Sequence, residues 1–260
     1  MDSVSFIQSL ELEEHGPSHM PGGIVLLAET KNEGSADSGS LVSSTSKSEG
    51  LVDAGSLVSF TSEVGQKQKE DVLNSTLLAQ LAANKKYDRF TDIENWYKFY
   101  GDVMSQLGWV MQNFKFNEYK SSHADFKISD VLVKLLSAMV GGDKEMMKVV
   151  KETLDALAKS GSSLTLFSSN SISEKNGNFQ ILPCTVDKSN QVSIAFTGGH
   201  FQASQAAKHY FFFSYAKKDI SLFHSGQVFT LSEGVYDKVR DHVKEKLGKR
   251  AVDFVKNLDI

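Results

Sequence analysis

A single cysteine, Cys184, stands in the 260-residue chain. It excludes an intrachain disulfide, and no set of thiols is present to form a zinc-ligand cluster. That usage fits a reducing compartment, as it would a secreted protein without disulfides. Long apolar runs are also missing. Residues 24–28 are too few for a signal core, and the run from Val131 to Val140, interrupted by Lys134, falls well short of the roughly 20 residues of a membrane helix. Met1-Asp2-Ser3-Val4 lacks the basic n-region of a secretory signal. The expectation is a chain made soluble and cytoplasmic as synthesised, with release by a non-classical route. A net charge of −4 offers none of the basic excess that a nucleic-acid binder uses.

Catalytic signatures are equally scarce. The chain has no G-x-G-x-x-G, no Walker A loop, no G-x-S-x-G elbow, no H-E-x-x-H and no EF-hand loop. The commonest nucleotide, hydrolase and metalloprotease readings therefore fall away, while an enzyme without a short motif stays open. Ser122-His123-Ala124-Asp125 puts hydroxyl, imidazole and carboxylate close in sequence. Triads are assembled in space from distant residues, so a polar loop is the plainer reading. His200, His209 and His224 lie among expected strands, and a metal would want further ligands beside them. No cofactor, metal or catalytic residue is expected.

What is present is enough apolar material for a core, 40% hydrophobic and 10% aromatic. It is unevenly spread. Residues 1–65 carry ten acidic residues against two basic ones, with Phe6 and Phe60 as the only aromatics. So polar a segment predicts disorder, up to about Ser38, with room for a short packed element near Leu57–Val64. Gly39-Ser-Leu-Val-Ser43 recurs there as Gly55-Ser-Leu-Val-Ser59.

From Gln66 the spacing turns helical. Val72, Leu73, Leu77, Leu78 and Leu81 share a side, with Lys67, Lys69, Glu70 and Gln80 mostly facing away. Thr91-Asp-Ile-Glu94 reads as a capping box for a helix carrying Trp96, Phe99, Tyr100, Val103, Leu107, Val110 and Met111. Phe114 to Phe126 is aromatic without a period, hence a loop or short strand. Two helices follow, capped at Ser129/Asp130 and Asp143 and ending at Ser160-Gly161, as an αα-hairpin on the sheet.

Ser163 to Leu231 reads as an antiparallel meander. In residues 191–197, Val192, Ile194 and Phe196 share one face of a strand. Asn176-Gly177 is a type I′ hairpin signal. Tyr210-Phe-Phe-Phe-Ser-Tyr215 is apolar on both faces, which fits a covered central strand, or one whose second face meets lipid or a partner after rearrangement. Leu182, Cys184 and Val186 share a face, so Cys184 reads as a small core hydrophobe; the functional alternative is a lipid-attachment site. Ser232 opens a long terminal helix with Tyr236, Val239, Val243 and Leu247 inward, continued by Ala251, Phe254, Val255 and Leu258.

Residues 71–84, Leu107-Gly-Trp109, Gly177-Asn-Phe-Gln-Ile181 and Tyr236-Asp-Lys-Val-Arg240 resemble, as a set, a group of small, largely uncharacterised bacterial and fungal proteins akin to virulence factors and toxins. The resemblance spans residues 55–257 and brings no catalytic motif with it. It implies a non-enzymatic effector acting on membranes or on a protein partner; because each newly buried aromatic contributes only a few kcal/mol, homo-oligomers are expected on membranes. The alternative is a carrier of an apolar ligand or of a lipid held at Cys184. The expected architecture is α+β: an acidic segment over residues 1–65, then one domain over 66–260 of N-terminal helices, antiparallel β-meander and long C-terminal helix. Trp96, Trp109, Phe211, Phe213 and Tyr215 are the candidate membrane or partner contacts.

Overall fold

The computed structural model describes residues 2–13, 24–30, 48–205, 212 and 214–248. The acidic segment supplies a short helix, α1 (Ser3–Ser9), and strands β1 (Ile24–Thr30), β2 (Ser48–Asp53) and β3 (Ser56–Phe60). Helices α2 (Gln66–Lys86) and α3 (Ile93–Gln106) precede the short strands β4 (Trp109–Val110), β5 (Asn117–Glu118) and β6 (Asp125–Lys127). Next come α4 (Ile128–Met139), α5 (Lys144–Lys159), α6 (Gly161–Ser171) and β7 (Ile172–Ser173). Two long strands, β8 (Asn176–Val186) and β9 (Val192–Ala203), lead to β10 (Ser214–Ala216) and β11 (Ile220–Leu231). Two short helices, α7 (Glu233–Tyr236) and α8 (Arg240–Leu247), end the described chain.

Among the described residues the main sheet runs β1-β2-β3-β8-β9-β11-β4, with β5 also on β11 and β7 on β8. All its pairings are antiparallel except β3 on β8, which is parallel. Val192, Ile194 and Phe196 do share a face, packed in one core with residues of α2 and α3. Ala195, Phe179, Ile181 and Phe201 point the other way, into a second core with α4, α5 and α6. Helices thus cover both faces of the central strands, which explains apolar residues on both sides of β8.

At the place where a short packed element was expected, near Leu57–Val64, the chain forms the β2–β3 hairpin, which begins earlier, at Ser48. The average composition of the acidic segment hides the concentration of its apolar residues: Leu51, Val52, Leu57, Val58 and Phe60 fall within one hairpin, and all are buried. Burial packed into so few residues offsets their ordering entropy. Ile7 and Leu10 are buried as well, where α1 packs on α8 and α3. The first copy of the Gly-Ser-Leu-Val-Ser repeat, like the rest of residues 31–47, lies outside the described residues; the second copy is β3 and the turn before it.

Helix α2 begins at Gln66 as the periodicity requires, with the Gln68 side chain accepting from the Gly65 amide at 2.9 Å. Lys69 and Gln80, expected outward, are buried because α2 lies between the sheet, α3 and α8. The Lys69 ammonium is accommodated there by Glu49 of β2 at 2.7 Å. The capping box at Thr91 does not form. Asp88 instead accepts from the amides of Phe90 and Thr91, and α3 starts at Ile93. It stops before Gly108, whose φ of +92° suits glycine and ends the helical course. Trp109 and Val110 therefore form a strand, and Val110 leaves the predicted stripe to stand 66% exposed.

The meander begins later than predicted. Ser160 closes α5 and N-caps α6 by accepting from the Ser163 amide, so residues 161–171 are helix and Gly161 opens it. The hairpin turn is Glu174-Lys175, and Asn176-Gly177 belongs to β8, opposite Ser173 and Ile172. Gly177 answers to packing instead of turn geometry: a Cβ there would lie 2.0 Å from the Phe201 ring. Residues 214–216 pair with β6 in a separate two-stranded ribbon, because β11 itself lies beside β9 from Ile220↔Ala203 to Thr230↔Ser193. No slot remains there for a central strand built on residues 210–215, of which Tyr210, Phe211 and Phe213 lie outside the described residues. The long C-terminal helix is likewise corrected to α7 and α8 with a turn between, which lets Tyr236, Val239 and Val243 all reach the core. Ala251, Phe254, Val255 and Leu258 lie outside the described residues.

Candidate ligand cleft

A cleft of about 1010 Å³ opens between α3, the chain after β4 and the ends of β9 and β11. Helical spacing places Tyr97, Gly101 and Ser105 on its α3 wall, with Glu94, Lys98 and Asp102 along the mouth. After β4 the chain turns two rings inward. Phe116 meets Tyr97 at 4.7 Å and His200 at 5.0 Å between ring centroids, and Phe114 meets Phe196 at 5.0 Å. This segment is held against β11 by the Gln112 amide, which donates to Gln227 at 2.8 Å. On the floor, His200 of β9 stacks on Phe223 of β11 at 4.7 Å, with 7° between the planes. The two residues are register partners, which explains the overlap of their rings.

Burial pushes the His200 imidazole down to about 4, so the floor is uncharged at neutral pH. Tyr97 is buried, and its hydroxyl donates to Asn178 at 2.6 Å. The glycine at position 198 makes room for it, since a Cβ there would come within 3.0 Å of the Tyr97 oxygen. The cleft therefore has aromatic walls, a neutral floor and a polar mouth with three carboxylates, Asp92, Glu94 and Asp102, against Lys98. Such walls suit an apolar ring or chain whose polar end stays at the mouth.

The structure disperses the sequence candidates. Trp96 is fully buried beneath α3, its indole N–H donating to Asn84 at 2.8 Å. Trp109 is buried on β4. Tyr215 is half-buried in the β6–β10 ribbon, and Phe211 and Phe213 lie outside the described residues. Ser121, and not Ser122, bonds the backbone of His123. His200 and His224 project from opposite faces of the sheet, and His209 lies outside the described residues. Sequence reasoning missed the cleft residues Phe114, Phe116 and Phe223. The usable signal was the aromatic density after Phe114 without a period, which marks rings set by a loop.

Cys184 is completely buried on the α2 side of the sheet, its thiol donating to the Leu182 carbonyl at 3.3 Å. Burial holds the thiol well above its usual range, so little thiolate forms. A maleimide is expected to leave the native protein unlabelled and to react once denaturant is added. Rapid native labelling in an intact-mass assay would show that the strand opens at Cys184.

No known family profile and no curated protein matches the chain. Among solved structures, that of the Evf virulence factor is similar over 73% of this chain and 78% of its own, at 14% identity and a TM-score of 0.33. A delta-endotoxin is similar over 69% of this chain and 84% of its own, at 10% identity and a TM-score of 0.43. Two structural neighbours thus bear virulence-factor and toxin names, at scores too low to carry an argument, and the reading of this chain rests on its own cleft.

Proposed function

We propose that the protein is a carrier that takes up an apolar ligand in the cleft beside α3. The observation that carries this reading is the aromatic wall of Phe114, Phe116 and Phe223, backed by the buried Tyr97, around about 1010 Å³ of open space. That volume is at the upper end of the usual range for small-molecule sites, about 300–1,000 Å³. Each aromatic face covered by a ligand would contribute at roughly 25 cal/mol per Å² of apolar area removed from water. Uptake in this cleft needs no rearrangement. Membrane or partner contact through Trp96 and Trp109 would instead require buried residues to leave the core.

Nile red, a neutral apolar dye, is the test. Its emission should rise and saturate at one dye per chain on titration of the purified protein. Ser105→Trp places a bulky ring in the cleft from an exposed position on its α3 wall, and should weaken binding by about tenfold or more. Unsaturable dye partitioning, or saturable binding that Ser105→Trp leaves unchanged, would sink the reading.

A further inference from the structure

Asp53 ends β2 on the face turned toward α2 and is completely buried. Its Oδ2 accepts from the Thr76 hydroxyl at 2.6 Å, while Oδ1 has no hydrogen-bond partner. The contact is built into the hairpin: the Gln80 amide donates to the Asp53 carbonyl at 3.1 Å and accepts from the Gly55 amide at 3.1 Å. A buried carboxylate with one unmatched oxygen is costly, whereas a neutral carboxyl carries a hydroxyl that can donate.

The groups that face this position leave its charge uncompensated. From α2 come Thr76 and Gln80, and further toward the start of that helix Lys69, committed to Glu49 at 2.7 Å. From the segment after α2 comes Arg89, whose guanidinium lies against Gly55 and donates to the Asn178 carbonyl at 3.1 Å. From α3 comes Tyr100, with Tyr97 and Cys184 close to that phenol, and from β3 the register partner Ser56, which bonds Gln180. Burial raises the two phenols and the thiol, which keeps them neutral through the physiological range. The same burial pushes Asp53 up to about 7.

We propose that Asp53 is a proton-controlled lock between the β2–β3 hairpin and α2. With its carboxyl neutral the interface is closed; loss of the proton sets an unneutralised charge against Thr76 and Gln80 and loosens hairpin and helix together. The lock is independent of any ligand in the α3 cleft. Its sign follows from linkage. The folded chain keeps a proton that the unfolded chain releases, so the contribution to stability is full below the ordinary carboxylate value of 3.8, declines as pH rises, and is gone above about 7.

The experiment compares the full chain with Asp53→Asn in thermal unfolding and in amide exchange, corrected for intrinsic rates, from about pH 5 to about pH 9. The wild type should lose melting temperature across this range, and the amides of α2 and of residues 48–60 should lose protection. Asp53→Asn should remove that part of the pH dependence and gain most at the alkaline end. The lowered His200 and His224 act on the acid side with the opposite sign, and the raised Glu145 is common to both proteins, so the difference isolates Asp53. Parallel pH profiles for the two proteins overturn the lock. Should the variant fail to fold, an infrared titration with Asp53 in place decides. Recorded in a Glu145→Gln background, which removes the other raised carboxyl, a protonated-carboxyl band that bleaches near neutrality supports the lock, and its complete loss by about pH 5 refutes it.

Discussion

Trp96→Ala is expected to lower the unfolding free energy by about 3–5 kcal/mol, the usual cost of removing a large buried ring. The side chain is fully buried, stacked on Tyr100 at 5.4 Å with 14° between planes and edge-on to Tyr97 at 4.8 Å. The Arg89 guanidinium lies 5.1 Å from the ring, and the indole N–H bonds Asn84 at the end of α2. One residue thus joins α3, the end of α2 and the segment between them, and its removal leaves a cavity and an unsatisfied amide. Trp96→Phe retains most of the ring area and should cost less, about 1–3 kcal/mol for the lost bond and the smaller volume. Denaturant unfolding with unchanged slope is the measurement. A loss below about 1 kcal/mol for alanine would show that Trp96 is not the core residue described, and would reopen it as a surface contact.

The second large effect is expected at the C-terminal end. Arg240 of α8 grips Asp71 of α2 through two parallel hydrogen bonds, Nε to Oδ1 and Nη2 to Oδ2, both 2.8 Å. Asp71 is almost wholly buried, and Arg240 also bonds Asp237 and covers the Tyr236 ring at 5.2 Å. Arg240→Met leaves a buried carboxylate alone and should cost about 3–5 kcal/mol. Asp71→Leu combined with Arg240→Met removes both charges, and should recover most of that loss, since buried pairs often do no better than well-packed hydrophobes. Exchange protection in α8 should fall in the single variant before the rest of the chain is affected. If single and double variants lose the same stability, the cost comes from packing and the ion pair contributes nothing of its own.

Much of the fold is legible because periodicity records which side of an element meets apolar material. Val192, Ile194 and Phe196 share a buried face, Tyr236, Val239, Val243 and Leu247 form the inward stripe of the last helices, and α2 starts at Gln66. Cys184 is buried, as its place between Leu182 and Val186 requires. Where elements begin and end was less legible, because that is decided by single backbone positions. Gly108 at φ +92° cuts α3 short, and a non-glycine, Glu174, adopts φ +51° in the turn where Asn176-Gly177 was the stronger local signal.

The sequence by itself determined the class of the fold, helices packed on strands, along with the faces of its regular elements, because both follow from the spacing of apolar side chains within a few residues. Only the tertiary structure decided what covers those faces. The parallel register of Ser56–Phe60 on Gln180–Cys184 docks an acidic, Ser/Gly-rich segment against the long strand β8, joining residues more than a hundred positions apart. Contacts between separate elements likewise bring His200 beside Phe223, close Phe114 and Phe116 over Tyr97 to make the cleft, and seal Asp53 under α2. None of these has a local signature: a ring or a carboxyl looks the same in sequence whether its neighbour in space is water, another ring or an unpaired oxygen, and the energy that separates those cases arises only when the segments meet.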